Sequence, residues 1–273
     1  MVVVQAFGPE CNVSVILESR QLRKTFGAVT AAADINVSIE ADTVVGLIGS
    51  NGAGKTTFLN MVTGYLKPSS GSIRFDGRDI TALGPRQITR LGICRSFQIP
   101  QLFDTLSVSD NLLVGVGIVA SAGKNWANAA STQGTPSDAV ETMLERFGLQ
   151  PYREMAAGTL PEGVRKLLDI AMAMVVRPRI LLLDEPTSGV SAEEKFTLMD
   201  LVMDAVRAQK VTVLFVEHDM EVVTRYTHRV LAFSEGRIIA DGEPTTVLND
   251  AEVRKYIIGE TFHAKRRGGH AQA

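Results

Sequence analysis

Residues 49–57 of this chain read Gly49-Ser50-Asn51-Gly52-Ala53-Gly54-Lys55-Thr56-Thr57. It matches the pattern G-x-x-x-x-G-K-S/T at every required position, and this pattern is typical of loops that bind nucleotide phosphates. The glycines let backbone N–H groups approach phosphate oxygens where a Cβ atom would block them, and the following helix adds its positive N-terminal end. We therefore predict that these residues contact a nucleoside triphosphate.

Two side chains of the loop have more specific predicted roles. Lys55 supplies a mobile positive charge for catalysis. Thr56 supplies a hydroxyl to Mg²⁺, which keeps most of its waters and bridges phosphate oxygens, so the metal comes with the nucleotide. The flanking residues support this interpretation, because Thr43–Ile48 form a short apolar run and 56–62 lack glycine and proline. An accidental glycine-rich turn would not need to lie between a buried strand and a helix.

The composition indicates an ordered protein and excludes several classes. The chain has 273 residues, 45% of them hydrophobic, which suffices for one large core or two lobes. Its formal net charge of −2 gives no basic excess for binding nucleic acid. Cys11 and Cys94 form no C-x-x-C pair and are predicted to be reduced, buried thiols of a cytosolic protein. The sequence has no long apolar span or secretion signal, so we expect it to contact a membrane only through a partner.

The order of the apolar runs predicts an α/β protein. Short β-runs at 13–22, 35–39 and 72–75 suggest an antiparallel layer with a tight reversal at Asp76-Gly77. The chain then reads as mostly helical from Leu91 to about Val176, apart from a predicted surface loop at 115–135. After that, β-runs and helices alternate, which is typical of a parallel sheet. These later elements are 180–184, 192–208, 211–217 and 231–234, with Ser191 and Glu194 predicted as a capping box and Gly259 as the end of the last helix.

An apolar strand, Ile180–Leu183, delivers two carboxylates at its end. In a protein with a phosphate loop, Asp184 is predicted to hold a water of the Mg²⁺ shell, and Glu185 to be the base for the attacking water. The alternative is an Asp-Glu pair that caps the loop before Pro186. Beside a phosphate loop, we favour the catalytic interpretation.

A second apolar strand, Val213–Val216, ends in Glu217-His218-Asp219 at the same predicted edge of the sheet. At that edge His218 can reach the terminal phosphate, and we predict a catalytic role for it. The other histidines do not follow a parallel strand in this way, and we interpret them as structural: His228, His263 and His270.

Several motifs occur in the order found in the ATPases of ABC transporters. They are the phosphate loop, Gln98 after Arg95-Ser96-Phe97, a signature region before Asp184-Glu185, and His218. The sequence resembles that family over roughly 13–260 and is most similar to ATPase subunits of branched-chain amino-acid importers. This narrower likeness is carried by Leu160-Pro161, Glu217–Met220 and Tyr256–Glu260.

The resemblance implies a P-loop NTPase of ABC type, an α/β fold in which a mostly parallel core sheet is joined by an antiparallel β-layer and an inserted helical subdomain, at about 92–176. A single ATPase domain would span 13–260, with flexible termini at 1–12 and 261–273. The implied cofactors are ATP and Mg²⁺. Gln98 is implied to contact the metal in catalysis and to link it to the helical subdomain. Phe26 matches an aromatic that stacks on adenine, although a ring there could also be ordinary core packing.

The signature segment departs from the family pattern. The usual signature is Leu-Ser-Gly-Gly-Gln, whereas this chain has Leu160-Pro161-Glu162-Gly163-Val164. In the family, this segment donates a serine hydroxyl and backbone N–H groups to the γ-phosphate of ATP held by the opposite subunit. Pro161 has neither donor, and Glu162 would bring a negative charge near the triphosphate, at a cost of roughly 1 kcal/mol or more. The helix itself is expected to be intact, because one apolar stripe runs along it: Val164, Leu167, Leu168, Ala171 and Val175.

Ser191 is a second departure, since many family members carry an aspartate there that communicates across the dimer. Together, the departures suggest that the chain pairs with a different ATPase subunit. The better signature of that partner would complete the site built on Lys55, Glu185 and His218. A homodimer is the alternative and would place two degenerate signatures over two good phosphate loops.

Three functions compete. The favoured one is an ATPase subunit on the cytoplasmic face of the membrane that powers import through transmembrane permease subunits, which residues 99–110 are expected to contact. The alternatives are an ATPase for lipid or lipopolysaccharide export, which usually keeps a fuller signature, and a soluble ABC ATPase, which usually has two ATPase halves or a coiled-coil insertion. No residue selects the transported substrate. Branched-chain amino acids therefore rest on the resemblance alone, and urea, amides or aromatic acids are also compatible.

Overall fold

The fold is described from a computed structural model that covers residues 14–96, 98, 100–121 and 135–258. Its strands are β1 (Val15–Phe26), β2 (Val29–Glu40), β3 (Val44–Gly49), β4 (Ser70–Phe75), β5 (Arg78–Asp79), β6 (Ile93–Ser96), β7 (Ile180–Asp184), β8 (Thr212–Val216), β9 (Arg229–Ser234) and β10 (Arg237–Gly242). Its α-helices are α1 (Lys55–Val62), α2 (Pro85–Leu91), α3 (Val108–Ser121), α4 (Pro136–Arg146), α5 (Glu162–Val175), α6 (Glu194–Gln209), α7 (Met220–Tyr226), α8 (Pro244–Asn249) and α9 (Ala251–Val253). Short 3₁₀ turns, Gln150–Tyr152 and Ala157–Thr159, precede α5, and a π-helical turn, Arg254–Ile258, follows α9.

The strands form two sheets. The core sheet has the order β10-β9-β3-β8-β7-β6, in which β10 pairs antiparallel with β9 and the other neighbours are parallel. The second sheet is antiparallel and has the order β2-β1-β4-β5. The predicted mostly parallel sheet with an antiparallel layer is thus confirmed. The reversal at Asp76-Gly77 is confirmed too, because the φ angles of 51° and 74° at these residues turn the chain between β4 and β5.

The central strands are buried on both faces, as their continuous apolar runs predict. Every residue of β3, β7 and β8 is buried. Successive side chains point to opposite faces of the sheet. Val45 and Leu47 lie in one hydrophobic cluster with α1 and the antiparallel sheet, whereas Val44 and Ile48 lie in another with α4, α5 and α6. The core sheet therefore separates two hydrophobic cores, and burial on both faces fixes the register of its strands.

That register brings the carboxyl ends of three strands to one edge. Leu47 of β3 and Asp184 of β7 both pair with Val216, the last residue of β8. The phosphate loop follows β3 directly, and polar residues follow β7 and β8. In parallel α/β sheets, ligands bind at this edge.

Two local predictions are wrong. Ile93–Ser96, expected to lie in a mainly helical stretch, form β6, which pairs with β7 in the core sheet. Gly115–Ser121, expected to belong to a surface loop, continue α3. Packing of α3 on α4 and α5, with Val108 and Leu112 fully buried, outweighs the helix cost of a glycine, about 1 kcal/mol. Residues 122–134 of that predicted loop lie outside the described residues.

The expected apolar stripe on α5 is confirmed, because Leu167, Leu168 and Ala171 are buried and Val164 and Val175 pack partly buried against the same core. The capping box predicted before α6 is wrong. The Ser191 hydroxyl accepts from the Glu194 N–H at 3.3 Å and donates to the Glu194 carboxylate at 2.8 Å. The helix begins at Glu194 itself, with Glu193 as its N-cap residue and no side-chain capping bond.

The remaining general predictions concern thiols and membranes. Cys94 is buried, and burial raises the pKa of its thiol from 9.0 to about 12. None of the helices in the described part of the chain has both the length and the apolar character needed to cross a bilayer. The predicted flexible termini, 1–12 and 261–273, lie outside the described residues, and so do these residues with sequence predictions: Cys11, Phe97, Ile99, Gly259, Glu260, His263 and His270.

Candidate active site

The phosphate loop packs tightly against its surroundings. A Cβ atom added to Gly49 would lie 2.5 Å from the carbonyl oxygen of Phe233, and one added to Gly54 would lie 2.7 Å from the carbonyl oxygen of Ala31. Gly52 has open space around it, but its φ of 81° lies in the left-handed region that disfavours other residues. The glycines thus serve both loop conformation and close packing.

Lys55 folds back over the loop. Its Nζ donates to the carbonyl oxygens of Gly49 at 2.7 Å and Ser50 at 3.1 Å, and the residue is only 6% exposed. Burial lowers the pKa of the ammonium group, while the charges of Glu185 and Asp184 act in the opposite direction. An ammonium has three N–H donors, so one is left for an anion beside the loop.

Gln98, Glu185 and His218 come together at the edge of the core sheet. Gln98 Nε2 donates to Glu185 Oε2 at 3.0 Å, and His218 Nε2 lies 3.1 Å from Glu185 Oε1. These residues follow β6, β7 and β8, which are neighbours in the sheet. The side chains of Glu185 and His218 are 21% and 41% exposed, so the carboxylate is accessible to water. The structure therefore groups the predicted base with both polar residues predicted to act near it.

Asp184 has a partner that the sequence did not reveal. Arg95 Nη2 lies 2.5 Å from Asp184 Oδ2, and Arg95 Nη1 donates to Asn60 Oδ1 at 2.6 Å. Both side chains of the ion pair are nearly buried, at 6% and 9% exposure. The only signal in the sequence was a charged residue inside the short apolar run Ile93–Ser96.

The donor set fits Mg²⁺ only together with a nucleotide. Thr56 is exposed at the start of α1, and Asp184 lies at the end of β7. Within the described ranges, no three His, Cys, Asp or Glu residues form a group that could hold a metal ion. Hydroxyl and carboxylate oxygens suit Mg²⁺, but this pair would leave most of its coordination to phosphate oxygens and water.

Glu217 is a buried carboxylate that sequence reasoning did not single out. Its Oε1 accepts from the N–H and hydroxyl of Thr187 at 2.9 and 2.7 Å, and its Oε2 accepts from the His218 N–H at 3.1 Å. It therefore ties the loop after Glu185 to the loop that carries His218. The signal was present, since an acid directly before His218 ends a buried strand.

Helix α5 contributes two more residues that were missed. Lys166 Nζ donates to the backbone carbonyl of Glu185 at 2.8 Å. Asp169 accepts from the Ser96 hydroxyl at 2.5 Å and from the Gln101 N–H at 3.0 Å. Burial lowers the pKa of Lys166, and the acids around it, Glu162 first, oppose that shift. Charged residues in an otherwise apolar helix were the signal for both.

Phe26 lies at the end of β1 and is 51% exposed. Lys24 Nζ lies 5.1 Å from the centre of its ring. Ordinary core packing does not account for a ring this exposed. Adenine stacking stays a prediction.

The signature segment lies at the start of α5. Leu160 is buried, whereas Pro161 and Glu162 are exposed. Pro161 is the N-cap residue and makes no side-chain capping bond. Glu162 and Gly163 lie beside Gly189 and Val190 of the loop after β7. None of the hydrogen bonds among the described residues joins this segment to the phosphate loop of the same chain.

Comparisons with known proteins agree with this geometry. The family model described as ABC transporter matches residues 32–188. The chain is 36% identical over 251 residues to the high-affinity branched-chain amino acid transport ATP-binding protein BraF of Pseudomonas aeruginosa, with 90% of this chain and 98% of the relative covered. It is 34% identical over 251 residues to LivG of Escherichia coli, a protein with the same description and the same coverage.

A solved structure supports the assignment of the fold. An ATP-binding cassette of an ABC transporter in its ADP conformation superposes with a TM-score of 0.78, 30% sequence identity, and coverage of 90% of this chain and 99% of that chain. The family match covers more than half of the sequence, and the chain spans nearly the whole length of these relatives. The protein belongs to the ABC transporter family and is one of its ATP-binding, ATP-hydrolysing cassettes.

Proposed function

We propose that this chain is the ATPase subunit of an importer for branched-chain or related amino acids. The observation that carries the ATPase role is the grouping of Gln98, Glu185 and His218 beside the phosphate loop. The substrate class is supported by the names of the relatives, which are branched-chain amino acid transport proteins in bacteria and archaea. The same names favour import over the two alternatives, lipid export and a soluble ATPase.

In this proposal the phosphate loop, Gly49–Thr57, binds the triphosphate of ATP. Backbone N–H groups of the loop and the Lys55 ammonium face the phosphate oxygens, and Phe26 stacks on the adenine. Thr56 would hold Mg²⁺ through its hydroxyl and Asp184 through a water of the metal's shell, with Gln98 nearby. When bound, Mg²⁺ offsets the negative charge of the β- and γ-phosphate oxygens.

Glu185 is the proposed base. Its carboxylate accepts a proton from the water that attacks the γ-phosphate in line. The Gln98 amide holds one carboxylate oxygen at 3.0 Å, and the His218 ring lies beside the other at 3.1 Å. Two fixed contacts reduce the freedom of the carboxylate, which is the positioning that proton transfer needs.

The partner subunits follow from the signature. Pro161 has no N–H, and the Glu162 carboxylate is exposed at the segment that would approach the ATP of a second subunit. We therefore favour a heterodimer, in which a partner with a fuller signature completes the site of this chain. The homodimer is the alternative. The permease would bind at the cytoplasmic face, where this chain is peripheral.

The segment predicted to contact the permease offers a narrower surface than expected. Phe103 is 49% exposed, whereas Leu102 packs partly against the hydrophobic core. Asn111 is fully buried and fixes the segment, accepting from the Phe103 N–H at 2.9 Å and donating to the Ser107 carbonyl at 2.9 Å. A rigid loop that presents one aromatic ring suits a permease groove lined with apolar residues.

The test is ATP turnover by the purified chain, alone and with the ATPase and membrane subunits encoded beside it. We expect low turnover alone and strong stimulation by a distinct ATPase partner. Full activity of the chain alone would instead mean that Leu160–Val164 work as a signature and that the chain acts as a homodimer. Absence of turnover in every combination would overturn the ATPase role.

A further inference from the structure

Helix α5 carries two buried charged side chains, Lys166 and Asp169. They face the edge of the core sheet where Gln98, Glu185 and His218 lie, called the catalytic edge below. Lys166 is 5% exposed and Asp169 is 8% exposed. Lysine and aspartate are almost never buried to this extent without bonded partners. Because the residues are three positions apart, they lie on the same face of the helix.

Asp169 binds both ends of the loop that carries Gln98. Its Oδ2 accepts from the hydroxyl of Ser96, the last residue of β6, at 2.5 Å. Its Oδ1 accepts from the Gln101 N–H at 3.0 Å. The Asp169 carboxylate thus joins Ser96 and Gln101, which flank Gln98, and limits where the Gln98 side chain can lie.

Lys166 contacts Glu185, the residue whose carboxylate Gln98 binds. Its Nζ donates to the Glu185 carbonyl at 2.8 Å. Glu185 has a φ of 50°, in the left-handed region that is unfavourable for a non-glycine residue. The lysine bond supports that conformation, which directs the Glu185 side chain toward Gln98.

The contacts form a closed ring. It runs from the Glu185 carboxylate to Gln98, through the loop to Asp169, along α5 to Lys166, and back to the Glu185 carbonyl. We propose that Lys166 and Asp169 are positioning residues that set the Gln98 amide against the Glu185 carboxylate. The proposal rests on the proposed ATPase function of this site.

The loss variants are Asp169→Ala and Lys166→Met, assayed in the assembled transporter. We expect kcat to fall about tenfold, with KM for ATP changed less than about twofold, because geometry and not binding is disturbed. Asp169→Asn should recover most of the kcat, since its amide can accept from Gln101 and donate to the Ser96 hydroxyl. Asp204→Ala is the control, because it removes a 3.3 Å ion pair with Arg207 on α6 but leaves the ring intact.

A double-mutant cycle tests the route of the effect. If Asp169 acts through Gln98, Asp169→Ala should lower kcat little further in a Gln98→Ala background. An undiminished loss in that background would overturn the proposal. Lys166→Met keeps the apolar stem of the side chain, so it provides the test if Asp169→Ala does not fold.

Hydrogen exchange tests the ring without any turnover. The Gln101 N–H should exchange faster in Asp169→Ala than in the unmodified chain, recover in Asp169→Asn and be unchanged in Asp204→Ala. Unchanged exchange in Asp169→Ala would contradict the contact itself. Absence of turnover by the unmodified chain in every subunit combination would defeat the proposed function, whereas normal kcat in Asp169→Ala with an inactive Glu185→Gln would defeat only this inference.

Discussion

The phosphate-loop site and the signature segment of this chain form the two ends of its ATPase machinery. They differ in how many of the expected polar groups they contain. At the phosphate loop, Lys55 rests on loop carbonyls and Glu185 has polar partners on both carboxylate oxygens. At the signature, Pro161 has no N–H to donate and Glu162 adds an exposed negative charge. Both ends nevertheless meet on α5, whose buried face contacts Glu185.

This difference gives the buried face and the exposed N-terminal end of α5 separate roles. The buried face of α5 contacts the chain's own catalytic edge through Lys166 and Asp169. The exposed N-terminal end would serve the ATP of another subunit, and there the donors are lost. A chain built in this way is expected to hydrolyse the ATP that it binds and to support its partner's site poorly.

Replacing the proposed base, Glu185, should reduce turnover more than any other change. Glu185→Gln removes the proposed base while keeping the shape of the side chain, so kcat should fall by about 10² to 10³ with ATP binding retained. Turnover of the assembled complex and binding of a fluorescent ATP analogue would measure the two separately. Glu193→Gln, at an exposed acid before α6, is the control and should be near normal. Normal hydrolysis by Glu185→Gln would show that the base is another group.

Lys55→Ala should weaken both binding and hydrolysis. Loss of a charge-assisted contact of about 1.5 to 3 kcal/mol corresponds to roughly 10- to 100-fold weaker ATP binding. Lys67→Ala is the control, since Lys67 also donates to a backbone carbonyl, that of Leu83, away from the loop. Titration with the same fluorescent analogue decides, and unchanged affinity in Lys55→Ala would contradict the assigned contact.

His218→Ala should lower kcat about tenfold and leave ATP affinity unchanged, because it removes one of two contacts to the Glu185 carboxylate. His228 offers a matched comparison, since its Nδ1 accepts from the Val44 N–H at 3.0 Å. His228→Ala should lower the free energy of unfolding by about 1 kcal/mol and spare kcat. Equal kcat losses in the two variants would remove the distinction between a catalytic and a structural histidine.

Restoring the usual signature residues tests whether the donors missing at Leu160–Val164 limit activity. In a Pro161→Ser, Glu162→Gly variant, serine gains an N-cap bond worth about 1 kcal/mol, which offsets the helix cost of glycine, also about 1 kcal/mol. Stability should therefore change little while turnover of the chain alone rises several-fold. Glu193→Gly, again before α6, controls for loss of an exposed acid. No rise in turnover would mean that the signature residues do not limit activity.

Cys94 reports on folding and not on turnover, and it shows whether the variants above are folded. Burial raises the pKa of its thiol from 9.0 to about 12, so the folded chain holds little thiolate at about pH 8 and should be alkylated slowly. In a Cys11→Ser background, unfolding in urea should speed alkylation by about tenfold or more. Rapid labelling of the folded chain would contradict the burial.

The direction of the pH effect follows from the same shift. The fold favours the neutral thiol, so the contribution of Cys94 to the free energy of unfolding is complete below pH 9 and is lost as the pH rises toward about 12. Urea titrations at pH 8 and pH 10 of the Cys11→Ser chain and its Cys94→Ala derivative would measure this contribution.

Much of the catalytic edge was predictable from sequence because its signals are local. The glycine pattern at 49–57 and the acids after an apolar strand each lie within a few residues, and parallel strands place their ends together. The patterns of apolar residues in the sequence likewise predicted β7, β8 and the stripe on α5. These features need no knowledge of which distant segments meet.

The features that were missed depend on distant contacts. β6 has only four residues and contains Arg95, so its pattern is too short to separate strand from helix until it pairs with β7. Gly115–Ser121 are helical because α3 packs on α5. This packing outweighs the low helix propensity of the glycines in the segment. Lys166 and Asp169 look like exposed charges in sequence, and only their bonds to Glu185, Ser96 and Gln101 explain their burial.

The buried guanidinium of Arg95 bears on the order in which ligands reach the site. It lies 2.5 Å from the Asp184 carboxylate, so that negative charge is balanced before any cation arrives. A free divalent ion therefore meets little net attraction there, whereas a nucleotide brings its own phosphate charges. We therefore expect the magnesium–nucleotide complex to bind as a unit, without prior binding of free magnesium. Turnover would then follow the cellular concentration of that complex and respond little to free magnesium.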